Sequence, residues 1–394
     1  GRSGEGDMRI AFVHASGIRN SRFIEERGAA LMARGHSVGF FGWNRYRDAP
    51  YSFGDAHVRR FGMATPLGTK TYFFLLIPWW TWTMCHLVRY RPQAVVCVNA
   101  DAVVPCLAYT CLTKAAFVHD LHDFYYYHFA HMPAPIPQIV DELTCAALTH
   151  ARLVLTISKE AISDFFSRRP QCRDYHKVME YPCLPTPAEC EALKKAAPSR
   201  HDDFTACYFG NLAWDRGVLE IIDAVQGMEG CRLLLAGPEL EKGILSHCLA
   251  HAGGCTRIAY LGYLMREDLL AHTARCHCIV LLLMPDNRHH RIPVPNKLYE
   301  GIVCRTPVIT TAGTESAAIV ERFGMGVVIP ENTPEALRKA LLHLRDGEGV
   351  WESCVRGCEA AEHELCSSYD FDRTVEAIEK AARAVPVWGA APEE

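Results

Sequence analysis

The sequence carries little excess charge of either sign. Its 394 residues hold 41 Lys plus Arg against 45 Asp plus Glu, a formal net charge of −4. A protein that grips nucleic acid by bulk charge is clearly basic, so nucleic acid is set aside as a partner. The chain also lacks any CxxC pair despite its 18 cysteines. Cys97, Cys106, Cys111, Cys207 and Cys278 sit inside apolar runs, where a thiol behaves as a small buried hydrophobe. A disulfide framework is therefore excluded, and a reduced, intracellular, cytoplasmic protein is expected. Cys276-His277-Cys278 is shaped like a fragment of a zinc site, but alternate residues of a strand point to opposite faces, so no metal is expected there. No secretory pattern opens the sequence. The segment GRSGEGD before Met8 has no periodicity and is read as a leader or cloning remnant outside the fold. There is no short-period repeat and no low-complexity tract. With 49% hydrophobic and 22% charged residues, disordered and collagen-like chains are excluded too. At ~150 residues per domain the length predicts two.

What is present is an alternation of short apolar runs with longer amphipathic segments. Strands are predicted at Arg9–His14, Ser37–Phe41, Ala94–Val98, Ala115–Val118, Leu153–Ile157 and Lys177–Glu180. A helix is predicted over Ser21–Arg34, ended by Gly35. Pro182–Asp203 holds four prolines around a charged stretch and reads as a linker. A second series follows, with strands at Thr205–Phe209, Cys231–Ala236, Arg257–Leu261, Cys278–Leu283, Pro307–Thr310 and Gly326–Ile329. Helices are predicted at Gly217–Val225, Leu240–Ala250, Glu267–Ala274, Asn296–Val303 and Pro334–Leu344. Continuous apolar strands separated by helices imply parallel sheets covered on both faces. The expected boundaries are 8–183 and 184–368. Ligands in such sheets bind beyond the carboxyl ends of the strands, and two such domains facing each other make a cleft.

Thr71–Val88 contains no Asp, Glu, Lys or Arg and carries Phe73, Phe74, Trp79, Trp80 and Trp82. It is just long enough to be weighed as a membrane span, but Pro78, His86 and its place before a strand oppose that. A buried crossover helix and a helix touching a membrane interface both stay open. Lys70, Arg89 and Arg91 at its ends suit an anionic bilayer surface.

The densest chemistry lies in Pro293-Val-Pro-Asn-Lys-Leu-Tyr-Glu-Gly-Ile-Val-Cys-Arg-Thr-Pro-Val-Ile. Pro295 precedes a helix that Asn296 can cap. A helix start presents free N–H groups and partial positive charge, and Lys297 adds a full charge. Glu300, three residues on, can face the same ligand and accept two ribose hydroxyls. This makes a cradle for a nucleoside diphosphate. The plainer alternative is a surface Lys–Glu pair.

The stretch resembles the donor-binding segment of glycosyltransferase family 4 enzymes with the GT-B fold. Tyr208-Phe-Gly-Asn-Leu-Ala-Trp-Asp-Arg-Gly, Leu233-Leu-Leu-Ala-Gly-Pro and Tyr260-Leu-Gly-Tyr-Leu are similar to successive strand ends of that family's C-terminal domain. The resemblance implies an α/β fold of two Rossmann-like, doubly wound domains facing a central cleft: an acceptor domain and a sugar-nucleotide donor domain. A closing helix, about 369–388, crosses back to the first. It implies that Arg216 contacts the donor diphosphate with Asn296, Lys297 and Gly17, that Glu300 holds the ribose, and that Tyr263 and Leu264 meet the base. His290 and Pro295 become candidate sugar contacts. His119 and Asp120, in Phe117-Val-His-Asp-Leu-His-Asp, match the family's strand-end His-Asp pair and are the expected catalytic residues, with Asp123 an alternative.

Two departures stand out. Asn211 occupies a place where many relatives have a second cation, and Ile292 the place of a first glutamate. The aromatic run Phe124–Pro133 suits either a packed loop or a lipid-linked acceptor. The resulting expectation is a retaining transferase, with no metal or other cofactor required. It moves a sugar from a nucleoside diphosphate, uridine favoured and guanosine an alternative, to a glycan or lipid-linked hydroxyl. A non-catalytic sugar-nucleotide-binding subunit and a 2-epimerase of the same fold stay open as alternatives.

Overall fold

The computed structural model describes residues 7–15, 22–45, 52–65, 70–123, 135–181, 185, 187–196, 199–292, 294–368 and 371–384. The chain divides into two compact units, 1–181 with 370–394, and 182–369.

The first unit runs β1 (Arg9–His14), α1 (Arg22–Ala33), β2 (Ser37–Trp43), β3 (His57–Phe61), α2 (Lys70–Tyr90), β4 (Ala94–Val98), α3 (Val103–Thr113), β5 (Ala116–Leu121), α4 (Ile136–His150), β6 (Leu153–Thr156), α5 (Lys159–Arg168) and β7 (Val178–Glu180). The strands form one parallel sheet in the order β3-β2-β1-β4-β5-β6-β7. The second unit runs α6 (Pro187–Ala196), β8 (Phe204–Phe209), α7 (Val218–Gln226), β9 (Cys231–Ala236), α8 (Ile244–His251), β10 (Ile258–Tyr260), α9 (Arg266–Arg275), β11 (Cys278–Leu281), the short α10 (Arg288–Arg291), α11 (Asn296–Cys304), β12 (Val308–Thr311), α12 (Glu315–Phe323), β13 (Gly326–Ile329), α13 (Pro334–Asp346) and α14 (Val350–Ser368). Its sheet is also parallel, ordered β10-β9-β8-β11-β12-β13. In each sheet the winding direction reverses once, between β1 and β4 and between β8 and β11.

The helices form where an apolar stripe meets a start signal. Thr314 and Thr333 cap α12 and α13 by accepting from Ala317 N–H at 3.1 Å and Ala336 N–H at 3.2 Å. Val218, Ile221, Ile222 and Val225 of α7 pack with Leu337, Leu341 and Leu344 of α13 over Leu233 and Leu235 of β9. The last helix, α15 (Phe371–Arg383), belongs to the first unit and contacts α1, β4, β5 and β6. Its Val375, Ile378 and Ala382 are buried at helical spacing. Glu379 meets His36 at 2.8 Å and Arg34 at 3.1 Å, and Asp372 meets Arg34 at 2.9 Å.

Several expectations are corrected. His57–Phe61 is an edge strand that its polar sequence hid. The predicted linker contains α6, and α12 and α14 were not anticipated. Asp7, set aside with the leader, accepts from the Ser37 N–H at 2.9 Å and the Ser37 hydroxyl at 3.0 Å. The described cysteines are free thiols. No helix among the described residues is long and apolar enough to cross a membrane. Helix α2 continues through Pro78 and divides its aromatics. Tyr72 and Trp79 are buried and stack on Trp43 at 5.4 and 5.5 Å, while Phe74, Ile77 and Val88 face outward.

Gly326 opposes Val308 in the β12–β13 pair, and a Cβ there would lie 1.9 Å from the Val308 carbonyl oxygen. Gly326→Ala is expected to cost about 1–3 kcal/mol through forced strand displacement. Urea denaturation checks this; an unchanged midpoint would show that the pair shifts freely.

Candidate functional site

The reversal between β8 and β11 is where a doubly wound sheet leaves a crevice, because the loops from adjacent strand ends turn opposite ways. Two loops meet there: Gly210–Gly217 after β8, and the segment from β11 to α11. Gly210 is needed for a close approach, since a Cβ on it would sit 2.4 Å from Cε and Nζ of Lys297. The lysine therefore lies along the strand end, its Nζ 4.8 Å from the centroid of the Tyr208 ring. Among the described residues its ammonium has no carboxylate within ion-pair distance. Burial, followed by the positive charge of Arg216, lowers its pKa to about 8, while Glu300 acts in the opposite direction. These three charges thus sense one another.

Arg216 closes a short turn, Trp214–Arg216, that Gly217 ends at φ +65°. Its Nε lies 3.4 Å from Asp215 Oδ1, so the guanidinium pairs with the residue just before it. Asp215 in turn lies 3.1 Å from Nε2 of the buried His290. Met284 N–H donates to His290 Nδ1 at 3.3 Å, which puts the ring hydrogen on Nε2, toward the carboxylate. The His290 contact, then the Arg216 charge, hold Asp215 below the usual carboxylate range against its partial burial. His290 ties the two loops together; the sequence had suggested it as a sugar contact.

Pro295 is the cap position of α11, and Asn296 is its exposed first residue rather than its cap. No side chain caps this end, so its first N–H groups are left for other acceptors. Glu300, in the next turn, is 5% exposed and pairs through Oε1 with Arg266 Nη1, whose Nε lies 3.0 Å from Glu189. The surface Lys297–Glu300 pair is replaced by this Glu189–Arg266–Glu300 chain. Tyr263 and Leu264 follow β10, with Tyr263 69% exposed. The Asn211 carbonyl accepts from the Tyr208 hydroxyl at 2.6 Å, and Ile292 is buried.

In the first unit, β5 runs three residues past its predicted end and takes His119 and Asp120 into the sheet, where both are fully buried. His119 Nδ1 lies 3.2 Å from the Cys97 carbonyl oxygen, and burial lowers its pKa to about 4. Asp120 accepts from Arg27 at 2.6 Å and Tyr181 at 2.7 Å and lies 3.0 Å from His122 Nε2. Burial alone would raise its pKa, but His122 and Arg27 with these hydrogen bonds drive it well below the ordinary value. His122 follows the strand end and is partly exposed, whereas the Asp120 it contacts is fully buried. Asn99 Oδ1 accepts from the N–H groups of His122 and Asp123 at 2.9 Å each, and its Nδ2 donates to Asp123 at 3.0 Å. Asn99 sits at φ 61°, ψ 177°, a conformation that costs about 1–3 kcal/mol outside glycine. His122, Arg27 and Arg266 were not singled out from sequence; the His-rich strand end was the only local signal. Gly17 and Phe124–Pro133 lie outside the described residues. Among the described residues no cluster of three His, Cys, Asp or Glu side chains could hold a metal.

Residues 203–346 match the family model described as glycosyl transferases group 1. No curated protein matches the sequence. Sucrose-phosphate synthase from Thermosynechococcus elongatus is similar in structure at 15% identity, with 96% of this chain and 98% of that chain covered and a TM-score of 0.74. HepE from Anabaena, solved with UDP and glucose, is similar at 15% identity, 96% and 100% coverage and a TM-score of 0.68. The catalytic domain of starch synthase IV from Arabidopsis thaliana, bound to ADP and acarbose, shows 12% identity, 96% and 100% coverage and a TM-score of 0.66. The fold is therefore GT-B, with two Rossmann-like sheets.

Asp120→Asn is expected to cost about 3–5 kcal/mol, because it removes the carboxylate charge that compensates the buried Arg27 guanidinium. Acid sensitivity follows from the neutral histidines. The unfolded chain protonates near pH 6.5, whereas folded His119 waits until about 4 and half-buried His14 until about 3. Stability then falls as pH drops through that window, by up to about 1.4 kcal/mol per pH unit for each group. The depressed Asp120 adds to the loss below the usual carboxylate range. Urea titrations between pH 7 and 4.5 check the slope; a flat profile would contradict neutral burial.

Proposed function

We propose that the chain transfers a sugar from a nucleoside diphosphate to an acceptor hydroxyl, with the donor on the second unit and the acceptor on the first. The observation that carries this reading is the ammonium of Lys297, laid on Gly210 beside Arg216 at the reversal of strand order with no carboxylate within ion-pair distance among the described residues. A diphosphate supplies the missing anion. As the glycosidic bond breaks, negative charge grows on the leaving phosphate. Lys297, the Arg216 fork and the uncapped start of α11, including Asn296, are suited to stabilise it. Gly17, by the family resemblance, belongs to the same phosphate-contacting set. Glu300, its Oε1 held by Arg266, offers the rest of its carboxylate to the ribose hydroxyls. Tyr263 and Leu264 are assigned to the base and Pro295 to the sugar.

The match to glycosyl transferases group 1 and the ligands of HepE and starch synthase IV support a sugar nucleotide, with uridine favoured. Retention of configuration, independence of metal ions and a hexosyl or N-acetylhexosaminyl donor rest on the family resemblance. A glycan or lipid-linked acceptor in polysaccharide or lipid-linked glycan synthesis completes the reading, with the chain at the cytoplasmic face and α2 in peripheral contact with the membrane. In the first unit, His122 is the group assigned to the sugar, with Asp120 and His119 behind it.

Lys297→Ala and Glu300→Gln are each expected to lose about 2–4 kcal/mol of transition-state stabilisation. A donor-consumption assay beside UDP and GDP calorimetry checks them, and turnover like the parent's would remove the donor assignment. His122→Ala should lower turnover more than nucleotide affinity. Nucleotide affinity should also fall as pH rises past about 8, where free Lys297 loses its proton; a flat affinity from pH 7 to 9 would show that Lys297 does not meet the diphosphate. Tight nucleotide binding without turnover on any donor would favour the non-catalytic subunit.

A further inference from the structure

The opposite edge of the first sheet, where its strands begin, carries a feature that the proposed reaction does not use. A cavity of about 820 Å³ opens there. Arg9 at the start of β1, Arg59 in β3 and Arg89 in the last turn of α2 line it, together with His57 and His86. Asp55 is the one carboxylate among the described lining residues. Arg9 and Arg89 have no carboxylate within ion-pair distance among the described residues, and Arg59 donates only to the neighbouring Val58 carbonyl at 3.0 Å. The nearest other acids are engaged: Glu379 by His36 and Arg34, and Asp7 by Ser37. Burial, Arg59, His86 and Arg89 all push His57 below its ordinary pKa, which marks the field in the cavity as positive. Three guanidinium groups around a single carboxylate leave the cavity net positive, and the planar fork of arginine matches phosphate oxygens.

The same helix leads from this cavity along an uncharged outer face. Phe74, Ile77, Pro78, Thr81, Cys85 and Val88 are exposed, and no charged residue occurs between Thr71 and Val88. An apolar stripe ending in a cationic cavity is complementary to a bilayer interface that carries anionic headgroups. We propose that the Arg9–Arg59–Arg89 cavity receives the phosphate of an anionic phospholipid while the outer face of α2 enters the acyl boundary. This rests on the membrane contact proposed for α2 and names its lipid class.

Co-sedimentation tests it, with vesicles of phosphatidylcholine alone and of phosphatidylcholine mixed with phosphatidylglycerol. The full chain should bind the mixed vesicles about tenfold or more better than the neutral ones, and high salt should release it. Arg59→Glu with Arg89→Glu should remove the preference for anionic vesicles, and Phe74→Asp with Ile77→Asp should weaken binding to both. Calorimetric nucleotide binding in the same samples reports on the second unit, so loss of vesicle binding with nucleotide binding intact separates this proposal from the donor assignment. Circular dichroism and elution volume report folding of the variants. Equal binding to neutral and mixed vesicles would overturn the proposal, as would binding that survives either pair of substitutions. Capture of inorganic phosphate without vesicle binding would make the cavity a soluble-anion site instead. Self-association that buries the stripe would assign it to a second copy.

Discussion

A lysine resting on a glycine is the constraint around which the second unit's site is arranged. Any side chain at 210 would occupy the space of the Lys297 methylenes, and the ammonium would then be turned away from the strand end. With Gly210 in place, β8 delivers the bare backbone, the start of α11 delivers the charge, and the turn before Gly217 delivers Arg216 next to it. Two like charges held together and partly desolvated repel each other. Burial first, and that repulsion second, lower the lysine pKa. A doubly negative ligand would relieve the repulsion, in keeping with the proposed donor site. Around it, Asp215–His290 and Glu189–Arg266–Glu300 fix the two loops and the acid without neutralising Lys297.

The first unit solves a different electrostatic problem at the matching edge. It buries a carboxylate inside the sheet and compensates it with Arg27 from α1 and Tyr181 beyond β7, over which the Arg27 guanidinium stacks at 4.0 Å. Burial of such a pair gives little net stability but strongly penalises any arrangement that separates its members. It fixes how α1 and the end of β7 sit against β5, and it sets the direction of His122. Asn99, in its strained conformation, anchors the same strand end from the β4 side.

The central strands were legible because they are buried on both faces, and double burial writes itself as an unbroken apolar run; Ala94–Val98 and Cys231–Ala236 were located to the residue. His57–Phe61 escaped because an edge strand needs only one apolar face, and its arginines read as loop. Pro187–Ala196 escaped because prolines at a helix start look like a linker. Lys297, Glu300 and Arg216 were legible because their placement follows from one loop and one helix start. His119 and Asp120 were read as a strand end because two polar residues in succession normally end burial. The compensating Arg27 lies 93 positions away and leaves no local trace.

The sequence by itself determined the alternation of strands and helices and the parallel winding, since these follow from local patterns of burial and helix starts. The tertiary structure alone decided which charges are spent on the protein and which are kept. Arg266 is committed to Glu300, 34 positions on, and Asp215 to His290, whereas Lys297 has no counter-ion among the described residues. Pairing is a property of distance in space, and no spacing along the chain encodes it.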